Sequence, residues 1–374
     1  MENRNKKVGI LTFSFSSNPG SVLQAYALQE TVSEIQGVPA SIINYQKTGA
    51  DRPICGQNVF FGPISKWTPK KCLKWTARMA AYFFRMRKYR RFFEKYYNSD
   101  PENKPCPKAE LVGLSDKYGA FIVGSDQVWN FDSINVDSSY FLDFVQGGSK
   151  KISYAASFGQ KSVPETQKEE IARLVNDFDA ISVREKEGVD IVKELTGKSA
   201  EWVLDPSLIF DEEKWNKMAV APKEKDYVFL YLRESSASLE RFAKALADRY
   251  GLKVVKAFTH WKCNSKGKKQ AALGPLEWLG YMKNARYVVT NSFHGICFSI
   301  AYQREFFVDV LKGARAFTSP RILGMLEQFD LNSRCVDEID VSDIAPIDYQ
   351  KVKAVKDIRK EQSLQYLKDA LKET

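Results

Sequence analysis

The stretch that most constrains this chain is residues 285–310, Ala-Arg-Tyr-Val-Val-Thr-Asn-Ser-Phe-His-Gly-Ile-Cys-Phe-Ser-Ile-Ala-Tyr-Gln-Arg-Glu-Phe-Phe-Val-Asp-Val. It reads as a buried strand (Tyr287–Thr290), a polar turn (Asn291–Ser292), a short apolar helix and a second strand (Phe306–Val310). Short Val-rich runs on either side of a helix are the pattern of a parallel sheet buried on both faces. The turn lies where a strand ends and a helix begins. There the free backbone N–H groups and the helix dipole favour an anion, and open α/β sheets take their ligands at such ends. His294 stands in the first helical turn beside Gly295, whose missing side chain permits close approach of a ligand. A local reading stands beside this one: Asn291 or Ser292 caps the helix, and His294 packs within the fold.

The same alternation of strand and helix recurs along the chain. Lys7–Phe15, Val38–Tyr45, Ala120–Val123, Lys151–Ala156 and Ala180–Val183 read as strands of a first half. Tyr227–Leu232, Lys253–Phe258 and the opening stretch belong to a second half, and the lysine-rich, proline-containing segment 214–226 reads as the linker. Trp202–Ile209 closes the first half, broken by Asp205-Pro206. The 374 residues suffice for two domains with separate cores. The expected architecture is α/β: two doubly wound, Rossmann-like domains facing a cleft, with an N-terminal domain over 1–213, a C-terminal domain over 226–345 and a last helix over 346–374. The turn Asn18-Pro-Gly-Ser21 lacks both G-x-G-x-x-G and G-K-[ST], so it carries neither a dinucleotide fingerprint nor a P-loop.

Composition narrows the chemistry. No apolar run approaches the roughly 20 residues of a membrane span. The start leads into a short strand rather than a signal segment, so a cytoplasmic location is expected. The six cysteines are scattered with no C-x-x-C pair, which argues against a zinc or iron–sulfur site; no metal and no cofactor are expected. The net charge of +10 is compatible with nucleic acid, anionic lipid or an anionic small substrate.

Much of that charge lies on residues 70–97, where Cys72, Trp75, Met79, Tyr82, Met86, Tyr89, Phe93 and Tyr96 recur every three or four residues as one apolar seam. Lys71, Lys74, Arg78, Arg85, Arg87, Lys88, Arg90, Arg91 and Lys95 surround it. Two readings remain open: a surface helix packed on the body by its seam, or a basic amphipathic helix lying on an anionic membrane or clasping an acidic glycan. No groove-binding or RNA module accompanies it, so nucleic acid is not expected as a partner. A polar cluster, Gly124-Ser-Asp-Gln-Val-Trp-Asn130, follows the strand at Ala120–Val123. It reads either as an ordinary loop closed by an aromatic or as a sugar site, with Asp126 and Gln127 meeting hydroxyls and Trp129 covering a C–H face.

Taken in order, these fragments resemble the polysaccharide pyruvyl transferases. The carriers are Val8-Gly-Ile-Leu-Thr-Phe, Gly20-Ser-Val-Leu-Gln-Ala-Tyr-Ala-Leu-Gln29, Phe121-Ile-Val-Gly-Ser-Asp-Gln-Val-Trp-Asn130 and Ile152-Ser-Tyr-Ala-Ala-Ser-Phe-Gly159, then Ile181-Ser-Val-Arg-Glu185, Gly274-Pro-Leu-Glu-Trp-Leu and Val288-Val-Thr-Asn-Ser-Phe-His-Gly295. The resemblance implies a fold similar to the two-domain glycosyltransferase-B architecture. It also implies transfer of a pyruvyl group from phosphoenolpyruvate, as co-substrate, onto two hydroxyls of a sugar in a surface polysaccharide or its lipid-linked precursor. The family's histidine then corresponds to His294, its strand-end arginine to Arg184, and a loop lysine to Lys312. Many members carry Arg two residues before the histidine, where this chain has Ser292, so Arg233 or Arg321 would compensate. Asn291, Ser292 and Gly295 complete the expected donor side. The acceptor, a sugar or a lipid-linked oligosaccharide, is expected to face the first half at Asn18, Gly20, Gln24, Ser125, Asp126, Gln127 and Trp129. With the basic helix on the same side, a peripheral position at the inner membrane face is the corresponding expectation. Two competing expectations are a nucleotide-sugar glycosyltransferase using the same cleft, and a non-enzymatic lipid- or glycan-binding module.

Overall fold

The computed structural model describes residues 7–45, 69–100, 105–131, 137–259, 272–309, 319–336, 339 and 341–372. The first half runs β1 (Val8–Leu11), α1 (Pro19–Gln36), β2 (Ser41–Ile43), α2 (Pro69–Tyr96), β3 (Ser99–Asp100), α3 (Lys108–Leu111), β4 (Ala120–Val123) and β5 (Lys150–Ser153). It continues through α4 (Lys168–Asn176), β6 (Ser182–Val183), α5 (Lys186–Thr196), β7 (Glu201–Trp202), α6 (Pro206–Ile209) and α7 (Glu212–Met218). The second half comprises β8 (Tyr227–Leu232), α8 (Ala237–Tyr250), β9 (Lys253–Phe258), α9 (Pro275–Asn284), β10 (Tyr287–Thr290), α10 (Phe293–Ala301), β11 (Glu305–Val308), α11 (Ser319–Gln328) and α12 (Tyr349–Ala370). The fold is α/β with two parallel sheets, ordered β3-β2-β1-β4-β5 and β11-β10-β8-β9. Bridges from Ile152 to Ala180 and from Ala156 to Val183 set the β6–β7 pair beside β5.

Register decides which loops meet. β1 pairs with β4 from Val8↔Ala120 to Leu11↔Val123, so their carboxyl ends are level. The loops that follow, one carrying Asn18–Ser21 and the other Ser125–Gln127, therefore open side by side. In the second sheet β10 pairs with β8 from Tyr287↔Val228 to Thr290↔Tyr231, which brings Arg233 next to Asn291. The Arg233 backbone N–H donates to Asn291 Oδ1 at 2.8 Å. Both sheets thus present their carboxyl ends to one cleft.

The strands form because their residues are apolar on both faces; all six residues of β8 and all four of β10 are buried. Helix α10 is buried along its whole length, as a helix apolar all round must be. Each large side chain it buries contributes about 1.5–3 kcal/mol. The chain then returns: α12 packs on the first half, where Ser363 Oγ accepts from the Leu204 N–H at 2.9 Å and Tyr366 donates to the Ser153 carbonyl at 2.8 Å.

Several expectations change. The supposed linker overlaps α7, with Trp215 fully buried. Asp205-Pro206 does not interrupt a strand but starts α6, Asp205 capping Ser207 N–H. Of the seam on α2, Met86, Tyr89 and Phe93 are buried as expected, joined by Phe92. Arg85, expected on the basic face, is 3% exposed. Its guanidinium donates to the carbonyls of Ser17 (2.7 Å), Thr259 (2.9 Å) and Leu273 (3.1 Å), tying together loops from both sheets. On α12, Val352 is buried but Ile358 is exposed. No helix among the described residues is long and apolar enough to cross a membrane.

Candidate active site

Two helix N-termini point into the cleft. Asn18 caps α1 by accepting from the Gly20 N–H at 3.1 Å, with Pro19 in the first turn, where its missing N–H costs nothing. Ser292 caps α10 through the Gly295 N–H at 3.4 Å. The helices touch at Gly20, where an added Cβ would stand 2.4 Å from His294 Cβ. Gly20 is thus the seat of the histidine rather than a contact for the acceptor. Gly295 is likewise a packing glycine: a Cβ there would lie 2.5 Å from Thr290 Oγ1.

Between these termini lies a cavity of about 240 Å³. Asn18, Ser21, Asp126 and Gln127 line it from the first half, and Arg233, Asn291, Ser292, His294 and Arg321 from the second, with Phe13, Ser16, Thr259, Phe293 and Ile322 completing the wall. Eight of the expected site residues therefore converge on one space: Asn18, Asp126, Gln127, Arg233, Asn291, Ser292, His294 and Arg321. Asp126 reaches it from a left-handed backbone (φ 85°), a conformation that Asp tolerates better than most side chains.

Behind the cavity sits a buried ionic cluster centred on Arg184. Its guanidinium meets Glu185 (Nε to Oε1, 3.0 Å), Asp205 (Nη1 to Oδ2, 3.1 Å) and Asp126 (Nη2 to Oδ1, 3.6 Å). It lies 4.2 Å from the centre of the Phe293 ring, and Phe293 is the residue that reaches the cavity. The Arg184 fork expected to meet the donor is therefore largely engaged by carboxylates, one layer below the wall, with only Nη2 making no hydrogen bond. Burial alone would lower the Arg184 pKa, but Glu185, Asp126 and Asp205 outweigh it and fix the charge.

Asp205 escaped the sequence reading. It is fully buried, and its Oδ1 accepts from Ser207 N–H (3.0 Å) and Oγ (2.6 Å). Its Oδ2 accepts from Ser125 Oγ at 2.8 Å and stands 3.8 Å from His294 Nε2. That nitrogen is buried and makes no hydrogen bond. Burial holds the His294 pKa below its ordinary 6.5, aided by Arg184 and Arg321, against the pull of Asp205 and Asp126. Burial would raise the two aspartates, yet His294 and Arg184 bring both below the usual carboxylate range. Ser21 Oγ, donating to Asp126 Oδ2 at 2.5 Å, adds to that effect. Glu185 moves the other way: burial raises its carboxyl, and its Oε2 has no partner.

The cations on the wall differ from Arg184. Arg321 is 6% exposed with an unpartnered Nε. Burial, then repulsion from Arg184 and Arg233, lowers its pKa to about 9, so it is charged at neutral pH. Among the described residues, neither it nor Arg233 forms an ion pair. Two guanidinium groups and two helix N-termini face this space, with Asp126 as the one carboxylate among the lining residues, an arrangement that favours an anion.

Three acceptor expectations fail. Trp129 is 1% exposed, stacked on Phe141 at 5.4 Å, with its indole N–H donating to the Tyr140 carbonyl; it is core, not a sugar platform. Gln24 is fully buried, its amide donating to Thr12 Oγ1 and the Ser21 carbonyl. Ser125 is fully buried between Arg184 and Asp205. Asn291 lines the cavity, but its amide also braces the end of β8 at Arg233 and Glu234. Lys312 lies outside the described residues.

Comparison with known proteins places this geometry. The chain is similar in structure to the UDP-GlcNAc 2-epimerase from Neisseria meningitidis bound to UDP-GlcNAc, at 8% identity and a TM-score of 0.48 over 96% of this chain and 93% of that one. It is also similar to the wall teichoic acid polymerase TagF, at 12% identity and a TM-score of 0.45 over 99% and 89% of the respective chains. No curated protein matches it. The family model for polysaccharide pyruvyl transferase matches residues 18–308, a span from the cap of α1 to the end of β11 that includes His294 and the whole Arg184 cluster. The chain belongs to the polysaccharide pyruvyl transferase family.

Proposed function

We propose that this transferase moves the pyruvyl group of phosphoenolpyruvate onto two hydroxyls of a sugar in a surface polysaccharide or its precursor, forming a cyclic ketal. The observation that carries the reading is His294, buried with no hydrogen bond on Nε2, on the wall of a small cavity where Arg233, Arg321 and two helix N-termini outnumber the single lining carboxylate, Asp126. A compact donor with both a carboxylate and a phosphate suits such a place. In the reaction, a proton adds to the enol methylene carbon and positive charge develops at the adjacent carbon. A sugar hydroxyl attacks that carbon and gives up its proton. The carbon–oxygen bond to phosphate then breaks with its electron pair, and the second hydroxyl closes the ring. One hydroxyl proton is thereby balanced by the new methyl group and the other by the released phosphate. An imidazole that exchanges protons near neutral pH fits both transfers. Asp205 acts through it, as the carboxylate that orients and stabilises the charged ring. Asp126, with its carboxylate on the cavity wall, is the nearest partner for an incoming hydroxyl.

The test is incubation with phosphoenolpyruvate and a panel of saccharides, reading phosphate release together with a mass gain of one pyruvyl ketal. His294→Ala is expected to reduce turnover by roughly 10²–10⁴ while the protein stays folded. Turnover close to that of the native protein in a folded His294→Ala variant would remove the assignment.

A further inference from the structure

Helix α2 carries a second feature that the cavity does not use. A groove of about 840 Å³ runs along it, lined by Phe15, Phe83, Arg87, Arg90, Arg91 and Glu94 among others. The loop after β1 serves both it and the His294 cavity: Phe13 and Ser16 line the cavity, and Phe15 between them lines the groove. Three cations here face one anion. Arg90 is occupied, its Nε 2.9 Å from Glu94 Oε1, both exposed. Arg87 and Arg91 are exposed and have no ion-pair partner among the described residues. Four residues apart on a helix, their Cβ atoms are only about 5–6 Å apart, so the two like charges repel until an anion lies between them. The aromatic part is equally specific. Phe83 is 63% exposed, and Phe15, partly exposed, is braced by Phe93 and Tyr97 with ring centres at 5.1 and 5.3 Å.

We infer that this groove holds the acceptor as an acidic saccharide, its carboxylates gripped by Arg87 and Arg91 and its C–H faces lying on Phe15 and Phe83. A guanidinium fork matches a carboxylate, and an aromatic face matches the apolar side of a sugar ring. The recessed shape and the loop it shares with the cavity favour a bound chain over a flat membrane. The burial of Arg85 also removes one of the cations that a membrane-facing surface would need. What the saccharide is there to receive rests on the transferase reading above; the groove itself does not.

The experiment is calorimetric titration of the full chain with a short oligomer of glucuronic acid, a glucose oligomer of equal length, and phosphoenolpyruvate, alongside flotation with phosphatidylglycerol vesicles. The glucuronate oligomer should bind and the glucose oligomer bind far more weakly. The Arg87→Gln, Arg91→Gln double variant should lose roughly tenfold in affinity for glucuronate, as fits two exposed charge pairs. Both positions are exposed and neither lines the His294 cavity, so phosphoenolpyruvate binding should not change. Equal affinity for the two oligomers, undiminished glucuronate binding in the double variant, or binding to vesicles without binding to the oligomer would each overturn the inference. If phosphoenolpyruvate fails to bind while glucuronate affinity still falls in the variant, the groove stands and the transferase reading falls.

Discussion

Arg184 and Arg321 are both buried arginines beside the same histidine, yet they stand in opposite electrostatic states. Arg184 is surrounded by three carboxylates, which hold its charge more firmly than water would. Arg321 has no ion-pair partner among the described residues, and burial with repulsion from Arg184 and Arg233, only partly offset by Glu185 and Asp126, brings its pKa down to about 9. A buried charge met by three carboxylates belongs chiefly to the architecture, although Arg184 Nη2, 3.6 Å from Asp126, makes no hydrogen bond. A buried charge left unpaired is costly and persists where a ligand removes the cost. On the proposed reading, Arg321 is the donor's residue and Arg184 the organiser of the aspartates that face His294.

The sharpest way to break this comparison is to remove Arg184. Arg184→Met leaves Glu185, Asp126 and Asp205 buried without their common partner, a loss of about 3–5 kcal/mol. Denaturant unfolding should show it directly. A variant as stable as the native protein, with donor affinity alone reduced, would reverse the two roles.

Removing Arg321 should do the opposite. Arg321→Gln relieves a repulsion in the free protein, so stability should hold or rise slightly, while the donor loses a charge-assisted hydrogen bond. At about 1.5–3 kcal/mol that is a roughly 10- to 100-fold rise in the Kd for phosphoenolpyruvate. Calorimetry with the folded variant gives the answer, and unchanged affinity would transfer the role to Arg233.

The same contrast explains how much of this site was legible in the sequence. Periodicity placed β8 and β10 at their observed limits, because buried parallel strands write continuous apolar runs, and β9 matched too although only Ala257 and Phe258 of it are buried. The turn between β10 and α10 followed from them, and with it His294. What periodicity does not encode is how polar side chains at a strand end are used. Trp129 and Gln24 stand in the same motifs as Asp126 and Ser21, yet they turn into the core, and only the packing of distant residues decides it. Arg85 looked like one more cation on a basic helix; its partners are three carbonyls from segments far away in the chain. Asp205 carries a readable signal of its own. Asp-Pro-Ser is an N-cap followed by proline at the first helical position, not merely a break. Its second oxygen, free of the cap, is the one that faces His294.

The smallest expected effect tests the charge balance of the whole cluster. In the free protein His294 is held below its ordinary pKa of 6.5, chiefly by burial and also by Arg184 and Arg321. An anionic donor seated on Arg321 offsets those cations and favours the protonated ring, so the bound-state pKa must be higher. Binding is then expected to be accompanied by uptake of a fraction of a proton in the pH window between the free and the bound pKa of His294, declining at lower pH as the free protein becomes protonated. Arg321 does not contribute in this range, since with a pKa of about 9 it already carries its proton. Glu185, whose carboxyl is raised by burial and interacts with Arg321, could take up a proton as well, which is why the control matters. Calorimetric titration of phosphoenolpyruvate in two buffers of different ionisation enthalpy measures the uptake. It should be present in the native protein and absent in His294→Gln. Uptake that persists in His294→Gln assigns the mobile proton to Glu185, and proton release in place of uptake would mean that the donor does not sit against Arg321.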